Sequence, residues 1–173
     1  MNFKTFVRNR APWILAGMLA FAAPSFASTT GTLTLSGTVP GILEIVVTPT
    51  AAASALDLTV NAANLAVASV NERSNRKAGY TVSLSSANAV AAAGNQAFLK
   101  SADALNLDTL AYSLSYNGAA VSLVAGSAQV SDVWAKTPAA GTDKQLNISF
   151  NGAASFLNAD AYADTLTFTI TAK

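Results

Sequence analysis

The chain has 173 residues, of which 51% are hydrophobic and only 11% are charged, and it contains neither Cys nor His. Without Cys it has no disulfides or thiol chemistry, and without both residues most nucleophile–base pairs and most transition-metal sites are excluded. The formal net charge is +1, which gives no electrostatic basis for binding nucleic acid or an anionic membrane.

Residues 1–27 have the pattern of a cleaved export signal: a positive start, a short apolar run, and small residues where a signal peptidase reads. These features are Lys4, Arg8 and Arg10, then residues 13–23, then Ser25-Phe26-Ala27. A membrane anchor is the alternative, but the apolar run is shorter than the roughly 20 residues that span a bilayer. We therefore predict export, followed by a mature chain of one domain with no membrane insertion.

The stretch directly after this signal, residues 30–39, alternates with the period of two that is typical of a half-buried strand. Leu33, Leu35, Gly37 and Val39 fall on one face, and Ser and Thr residues fall on the other. We predict a strand here that ends at Pro40-Gly41. The alternation alone leaves open whether this strand pairs in the protein's own sheet or in a neighbour's.

Further short apolar or alternating runs follow, separated by turn residues. The next predicted strands are residues 42–47, 56–60, 65–70 and 80–86. Between the last two, the charged cluster at 71–79 is predicted to be an exposed loop. Residues 87–97 are predicted to be a loop, although their alanines could support a helical turn.

The clearest local signal lies at residues 109–124, where alternating runs flank Asn117-Gly118. Asn-Gly tolerates the positive φ angles of a type I′ turn, so this segment is predicted to be a β-hairpin. Residues 145–152 alternate through Leu146, Ile148 and Phe150 up to a second Asn-Gly, after which a helical turn is an alternative. The chain closes on an alternating strand at 165–173.

About nine or ten short strands without a convincing long helix predict an all-β sandwich. The low charge is unusual for the surface of a soluble monomer and suits a surface that copies of the protein would cover. An Ala- and Thr-rich extracellular surface without such contacts is the alternative explanation.

The carboxylates are the remaining candidates for acid–base catalysis or calcium binding. Asp103 and Asp108 share one polar loop, and Asp160 and Asp164 flank Tyr162. Neither pair has the spacing of a known ligand loop, and isolated surface charges are normally solvated. We predict no catalytic residue, no metal and no cofactor, and therefore no enzyme.

Two other groups of residues have an alternative functional interpretation. Arg73, Arg76 and Lys77 are candidates for a small anion-binding patch, but the neighbouring Glu72 would weaken its field, which favours a solvated turn. Trp134 is a candidate platform for stacking a sugar, but a lone Trp is more often involved in core or edge packing.

The two ends of the exported chain resemble those of a pilin, the structural subunit of a bacterial chaperone-usher fimbria. In that family an alternating apolar extension with a Gly on its apolar face follows the signal directly, as "TLTLSGTV" does here. The family's subunits also end in an alternating strand, which the periplasmic chaperone grips together with the terminal carboxylate. The similar residues here are Leu166, Phe168 and Ile170, with Lys173 at the end.

The sequence departs from the best-known pilins in three places. It has no Cys for their common disulfide, Ala172 replaces the near-terminal Tyr, and Asp160-Ala161 stands where a Gly is frequent. These departures indicate a cysteine-free branch similar to the spore-coat-protein-U-like pilins.

The resemblance implies an immunoglobulin-like β-sandwich that lacks its last strand, with residues 28–40 as a donor-strand extension and residues 41–173 as the pilin domain. A periplasmic chaperone and then the extension of the next subunit would fill the resulting groove at an outer-membrane usher. Leu33, Leu35 and Val39 would insert, and Gly37 would lie where no side chain fits. The product would be a cell-surface fimbria of this chain or sibling pilins that serves adhesion or biofilm formation. A secreted carbohydrate-binding or adhesin module is the alternative.

Overall fold

The computed structural model describes residues 29–173, so the predicted signal lies outside it. The chain divides into two units, Met1–Thr38 and Val39–Lys173. In the first unit, the described residues 29–38 form neither helix nor strand. All helices and strands described below belong to the second unit.

The second unit contains ten strands, a short 3-10 helix at Ala51–Ser54 and one five-residue helix, α1 (Ala87–Ala91). Among residues 29–173, no helix is long and apolar enough to cross a membrane. The strands are β1 (Leu43–Pro49), β2 (Asn61–Ser74), β3 (Tyr80–Ser86), β4 (Ala97–Ser101), β5 (Thr109–Tyr116), β6 (Ala119–Val121), β7 (Ser127–Val133), β8 (Thr142–Asn151), β9 (Tyr162–Ala163) and β10 (Leu166–Ala172).

The strands form two antiparallel sheets. The larger sheet has the order β1-β2-β8-β5-β4-β9, with β6 paired to β5, and the smaller has the order β10-β3-β7. Residues from both sheets share one hydrophobic core, so the predicted all-β sandwich is confirmed. Its fully or nearly buried residues include Val70, Leu84, Leu110, Tyr112, Leu114, Tyr116, Leu146 and Ile148.

The hairpin predicted at Asn117-Gly118 is present between β5 and β6. Asn117 has φ 50° and Gly118 has φ 82°, as a type I′ turn requires at both central positions. The alternations predicted in β3, β5 and β8 also hold, because the apolar residues of these strands are buried. The second Asn-Gly forms no such hairpin, since Asn151 ends β8 and Gly152 packs against the carbonyl oxygens of residues 58 and 60.

The segment around β2 differs from the prediction in three ways. Residues 56–60 form no strand, and a single 14-residue strand runs through the predicted gap at Asn61 and Asn64. The strand continues because Asn64 adopts φ 50° at an irregularity in its pairing with β8. Residues 71–74 belong to this strand as well, so the predicted exposed loop is reduced to residues 75–79.

The predicted loop at 87–97 is wrong at both ends. Ser86 caps α1, since its hydroxyl accepts a hydrogen bond from the backbone N–H of Ala89 at 3.2 Å. At the other end, β4 already begins at Ala97. The sequence did not indicate this strand, because it has only five residues between two turns.

A buried carboxylate joins the two sheets. Glu72 of β2 is fully buried and accepts hydrogen bonds from the hydroxyls of Tyr116 and Ser131, each at 2.7 Å, and Tyr80 at 2.9 Å. The ammonium of Lys144 lies 3.0 Å from the same carboxylate. Burial raises the pKa of Tyr80 and Tyr116, and the hydrogen bonds to Glu72 raise it further. Because β2, β5 and β8 lie in one sheet and β3 and β7 in the other, the cluster ties both together.

Candidate functional site

One edge of the larger sheet is open. β1 is an outer strand, and only β2 pairs with it in the part of the chain that the structure describes. Ile42 and Thr50 flank β1 and both form backbone hydrogen bonds toward β2, so the residues alternating between them point their peptide groups the other way. Pro49 lacks an N–H, which suits an edge strand. The residues with peptide groups at the open edge are Leu43, Ile45 and Val47.

One edge of the smaller sheet is open in the same way. β10 pairs only with β3 among residues 29–173. The carbonyl of Thr165 and the N–H of Lys173 both bond toward β3 or its flanking residues, at 2.9 and 3.3 Å. The alternation between them directs the peptide groups of four other residues to the open edge, those of Leu166, Phe168, Ile170 and Ala172.

An apolar groove of about 330 Å³ lies between these two edges. Val47 and Pro49 at the end of β1 form one wall, and Leu166 and Phe168 at the start of β10 form the other. The two walls are therefore antiparallel. The floor consists of core residues from the larger sheet, namely Val67, Ala68, Leu99, Leu146 and Ile148.

The inner face of β10 is only partly covered. Leu166, Phe168 and Ile170 remain half-buried, whereas Val82 and Leu84 on the adjacent β3 are completely buried. The Phe168 ring packs against Tyr116, with 5.7 Å between the ring centres. The β10 side chains thus contact the core without being enclosed by the described part of the chain.

The groove has a polar group at one end. Asp164 accepts hydrogen bonds from the hydroxyls of Tyr112 and Ser86, both at 2.6 Å, and from the backbone N–H of Asn88 at 3.1 Å. Burial raises the pKa of Tyr112, and the bond to Asp164 raises it further. These contacts tie the start of β10 to α1, so Asp164 fixes the geometry of the groove at this end.

Basic side chains surround a second cavity, of about 380 Å³, near the start of β1 and the end of β10. Its lining includes Arg76, Lys77 and Lys173. The Lys173 ammonium pairs with Asp132 and lies 3.2 Å from the centre of the Trp134 ring. The last side chain of the protein is therefore held against β7 and the residue that follows it.

The predicted donor residues are exposed. Leu33, Leu35 and Val39 have 84%, 85% and 85% of their surface accessible. A Cβ atom built on Gly37 would meet nothing within 4 Å, so the surroundings of Gly37 in this structure do not explain its lack of a side chain. The segment keeps an alternating apolar pattern without forming a strand.

The carboxylates that lie close together in the sequence have different hydrogen-bond partners in the structure. Asp160 accepts from the hydroxyl of Ser101, which lowers the Asp160 pKa, and the backbone N–H of Asp103 is 3.2 Å from the same carboxylate. Asp108 accepts a backbone hydrogen bond from the β8–β9 loop at 2.8 Å, whereas Asp164 faces the groove. No cluster of three or more metal-ligating side chains occurs among residues 29–173.

The three candidate residues of the anion-binding patch lie in two different elements. Arg73 lies in β2 and pairs with Glu44 at 3.3 Å, whereas Arg76 and Lys77 lie in the loop after it. Glu72 does not neutralise them, since it faces the core. The expectation that Glu72 would weaken the field of these cations was wrong. The period of two in β2 extends past residue 70 and directs the side chain of residue 72 into the core.

Trp134 is 75% exposed, so it is not a core residue. The Lys173 ammonium occupies one face of its ring.

The sequence predicted a strand at each wall, residues 42–47 and 165–173, but not that the two strands face each other across a groove, nor the floor of that groove. Pro49 was a usable signal, because a Pro that ends an apolar run is typical of an edge strand. The contribution of Leu99 had no such signal, since β4 itself was not predicted.

Comparison of the sequence with protein-family profiles and with curated proteins found no match.

Proposed function

We propose that this chain is a structural subunit of a surface fimbria, exported through the periplasm and polymerised by donor-strand exchange with the aid of a chaperone and an usher. The observation that supports this proposal is the apolar groove between the two open edges of β1 and β10. An alternating, exposed segment in the same chain has the apolar pattern that such a groove would accept. The groove and the segment are complementary in chemistry.

An inserted strand would satisfy both edges at once, provided that β1 and β10, which have Cα atoms within 8 Å of each other, move apart to the roughly 9.5 Å that separates two strands flanking a third. Its backbone would form hydrogen bonds with Leu43, Ile45 and Val47 on one side and with the peptide groups of β10 on the other. Since β1 and β10 are antiparallel, the inserted strand would lie antiparallel to one and parallel to the other. Its apolar side chains would then cover the half-buried inner face of β10.

The segment is long enough to run along the whole of β10. β10 has seven residues and spans about 23 Å, whereas ten residues such as 30–39 span about 33 Å when extended. Burying three apolar side chains at roughly 1.5 to 3 kcal/mol each contributes on the order of 5 to 9 kcal/mol before ordering costs. Before assembly, a chaperone strand in the groove would prevent the open edges from aggregating.

The test compares Gly37→Arg with Thr38→Arg, which places the same side chain on the opposite face of the segment. We expect Gly37→Arg to block insertion and abolish surface fibres, and Thr38→Arg to leave them nearly unchanged. Electron microscopy of cells, together with the amount of soluble periplasmic subunit, provides the measurement. Normal fibres from Gly37→Arg would contradict donation at this position, and loss of the soluble subunit would indicate a strand of the protein's own sheet.

The exposure of Trp134 supports a second candidate function, a secreted ligand-binding module. An open cleft of about 700 Å³ between residues 53–59 and 152–162 adds a second concave surface. Trp134 is the only Trp after the predicted signal, so its fluorescence can be measured in isolation. A saturable change in this fluorescence on titration with oligosaccharides would favour the second function over the first.

A further inference from the structure

Asn75 holds the backbone that connects the extension to β1. Its side-chain amide donates to the carbonyl of Pro40 at 2.8 Å, and its side-chain oxygen accepts from the N–H of Ile42 at 2.7 Å. Its own N–H donates to the carbonyl of Ile42 at 3.3 Å. Three hydrogen bonds from one residue therefore fix residues 40–42, all within the second unit.

This connection matters because a chain that carries both a donor segment and a groove can fill its own groove. Only residues 40–42 separate residues 30–39 from β1, the first wall of the groove, so a β-hairpin around these three residues would place the segment at the open edge. A self-filled subunit would have no free groove and no free segment. Contacts that oppose this hairpin therefore favour assembly with another copy whenever the chaperone strand leaves the groove.

A two-residue hairpin turn at Pro40-Gly41 places the wrong face inward. It would pair Val39 with Ile42 and Thr34 with Val47, so the Thr and Ser side chains would enter the groove. Pro40 also fixes φ at a negative value, which excludes the type I′ and II′ turns that match the twist of a hairpin. Gly41 lacks the positive φ that a type I′ turn requires at its second central position.

A three-residue loop at residues 40–42 would give the correct face. It would pair Val39 with Leu43 and Leu35 with Val47, which directs the apolar side chains into the groove. Such a loop needs a left-handed residue at its third position, here Ile42, and a β-branched residue strongly resists that conformation. Ile42 does not have a positive φ, and Asn75 binds both of its backbone groups.

We infer that Asn75 is a specificity determinant of the groove: by holding residues 40–42 it prevents self-insertion and reserves the groove for the extension of a second copy of this chain. This inference rests on the proposed function. It assigns Asn75 a positioning role, since the side chain contacts the connection and not the inserted strand.

The test uses the chain without residues 1–27 at high dilution, and a fluorescent synthetic peptide of residues 30–39 as the probe. Leu33→Asp/Leu35→Asp is the reference with a groove that its own segment cannot fill. Ile42→Gly removes the steric barrier to the three-residue loop, and Ile42→Gly/Asn75→Ala removes the Asn75 contacts as well. Amide hydrogen exchange of residues 30–39 in each chain reports whether its own segment is paired.

We expect the unmodified chain, the reference and Ile42→Gly to bind the peptide with similar affinity. Ile42→Gly/Asn75→Ala should bind the peptide at least tenfold more weakly. If its own segment fills the groove in nine molecules of ten, only one in ten can bind the peptide, and the apparent affinity falls tenfold. Its residues 30–39 should gain exchange protection. Adding Leu35→Asp to this variant should restore binding, which a misfolded chain would not show.

Two results overturn the inference and leave the proposed function intact. One is weak binding by the unmodified chain beside tight binding by the reference, since this means that self-insertion already occurs. The other is equal binding by Ile42→Gly and Ile42→Gly/Asn75→Ala, since this means that Asn75 does not control it. Failure of the peptide to bind the reference overturns the proposed function itself.

Discussion

At the scale of single residues, Glu72 shows how a buried charge can connect the two sheets of a protein that has no Cys. Its two oxygens accept from three hydroxyls and lie beside one ammonium, so the buried carboxylate is both paired and hydrogen-bonded. A disulfide cannot join the sheets of this protein. The hydrogen-bonded cluster instead supplies a fixed connection between them.

We expect Glu72→Gln to lower the free energy of unfolding by about 3 to 5 kcal/mol, because it leaves Lys144 without its partner in a largely buried site. Glu44→Gln is the matched control: it breaks the Arg73–Glu44 pair, whose side chains are 39% and 52% exposed, and should cost less than about 1 kcal/mol. Urea denaturation measures both. Equal losses would contradict a special role for the buried pair.

The burial of Glu72 was only partly accessible from the sequence. Residues 68, 70, 72 and 74 are all buried, and this period of two could have extended the predicted strand through the charged cluster. The partners of Glu72 could not have been identified, because they come from four other strands and their approach depends on the packing of the two sheets. In the sequence alone, a carboxylate among basic residues is typical of an exposed loop. Only the structure shows the hydroxyls that stabilise this carboxylate in the core.

At the scale of elements, regular strands were predictable and irregular ones were not. β3 and β10 alternate without interruption, so their bounds and inner faces followed from the sequence. β2 contains two register irregularities that interrupt its alternation, and for that reason only residues 65–70 of its 14 residues were predicted as a strand. α1 depends on the cap at Ser86 and on Asp164, a contact between residues far apart in sequence.

The alternation of β10 leads to a prediction about adjacent residues. Phe168→Asp places a charge on the half-buried inner face, and Thr169→Asp places the same charge on the exposed face. We expect the first to reduce the yield of soluble protein severalfold, since an unpaired buried charge is costly, and the second to leave it nearly unchanged. Immunoblots of the soluble cell extract provide the measurement. Similar yields would mean that β10 does not pack against the core in the cell.

At the scale of the whole molecule, the sandwich is confirmed, whereas the groove could not be predicted from the pattern of any single segment. The alternation in residues 30–39 and in β10 is local and therefore visible in the sequence. The groove itself arises because β1 and β10 end up at facing edges of different sheets, which depends on pairing between distant segments. Its floor even includes a residue of the unpredicted β4, Leu99.

The stability of the whole molecule should fall steeply at high pH. Burial raises the pKa of Tyr80, Tyr112 and Tyr116 in the folded protein, so they keep their protons above about pH 10, where the unfolded chain loses them. The stabilisation is therefore complete below about pH 10 and is lost as the pH rises toward the folded-state pKa values.

Each of these tyrosines should contribute a slope of at most about 1.4 kcal/mol per pH unit to the free energy of unfolding. Urea denaturation at a series of alkaline pH values measures this slope, and tyrosinate absorbance reports whether ionisation coincides with unfolding. Tyr116→Phe should reduce the slope by about one third, because it removes one of the three groups. A slope that Tyr116→Phe leaves unchanged, or ionisation of these tyrosines well before unfolding, would contradict the view that the core between the two sheets excludes water around their hydroxyls.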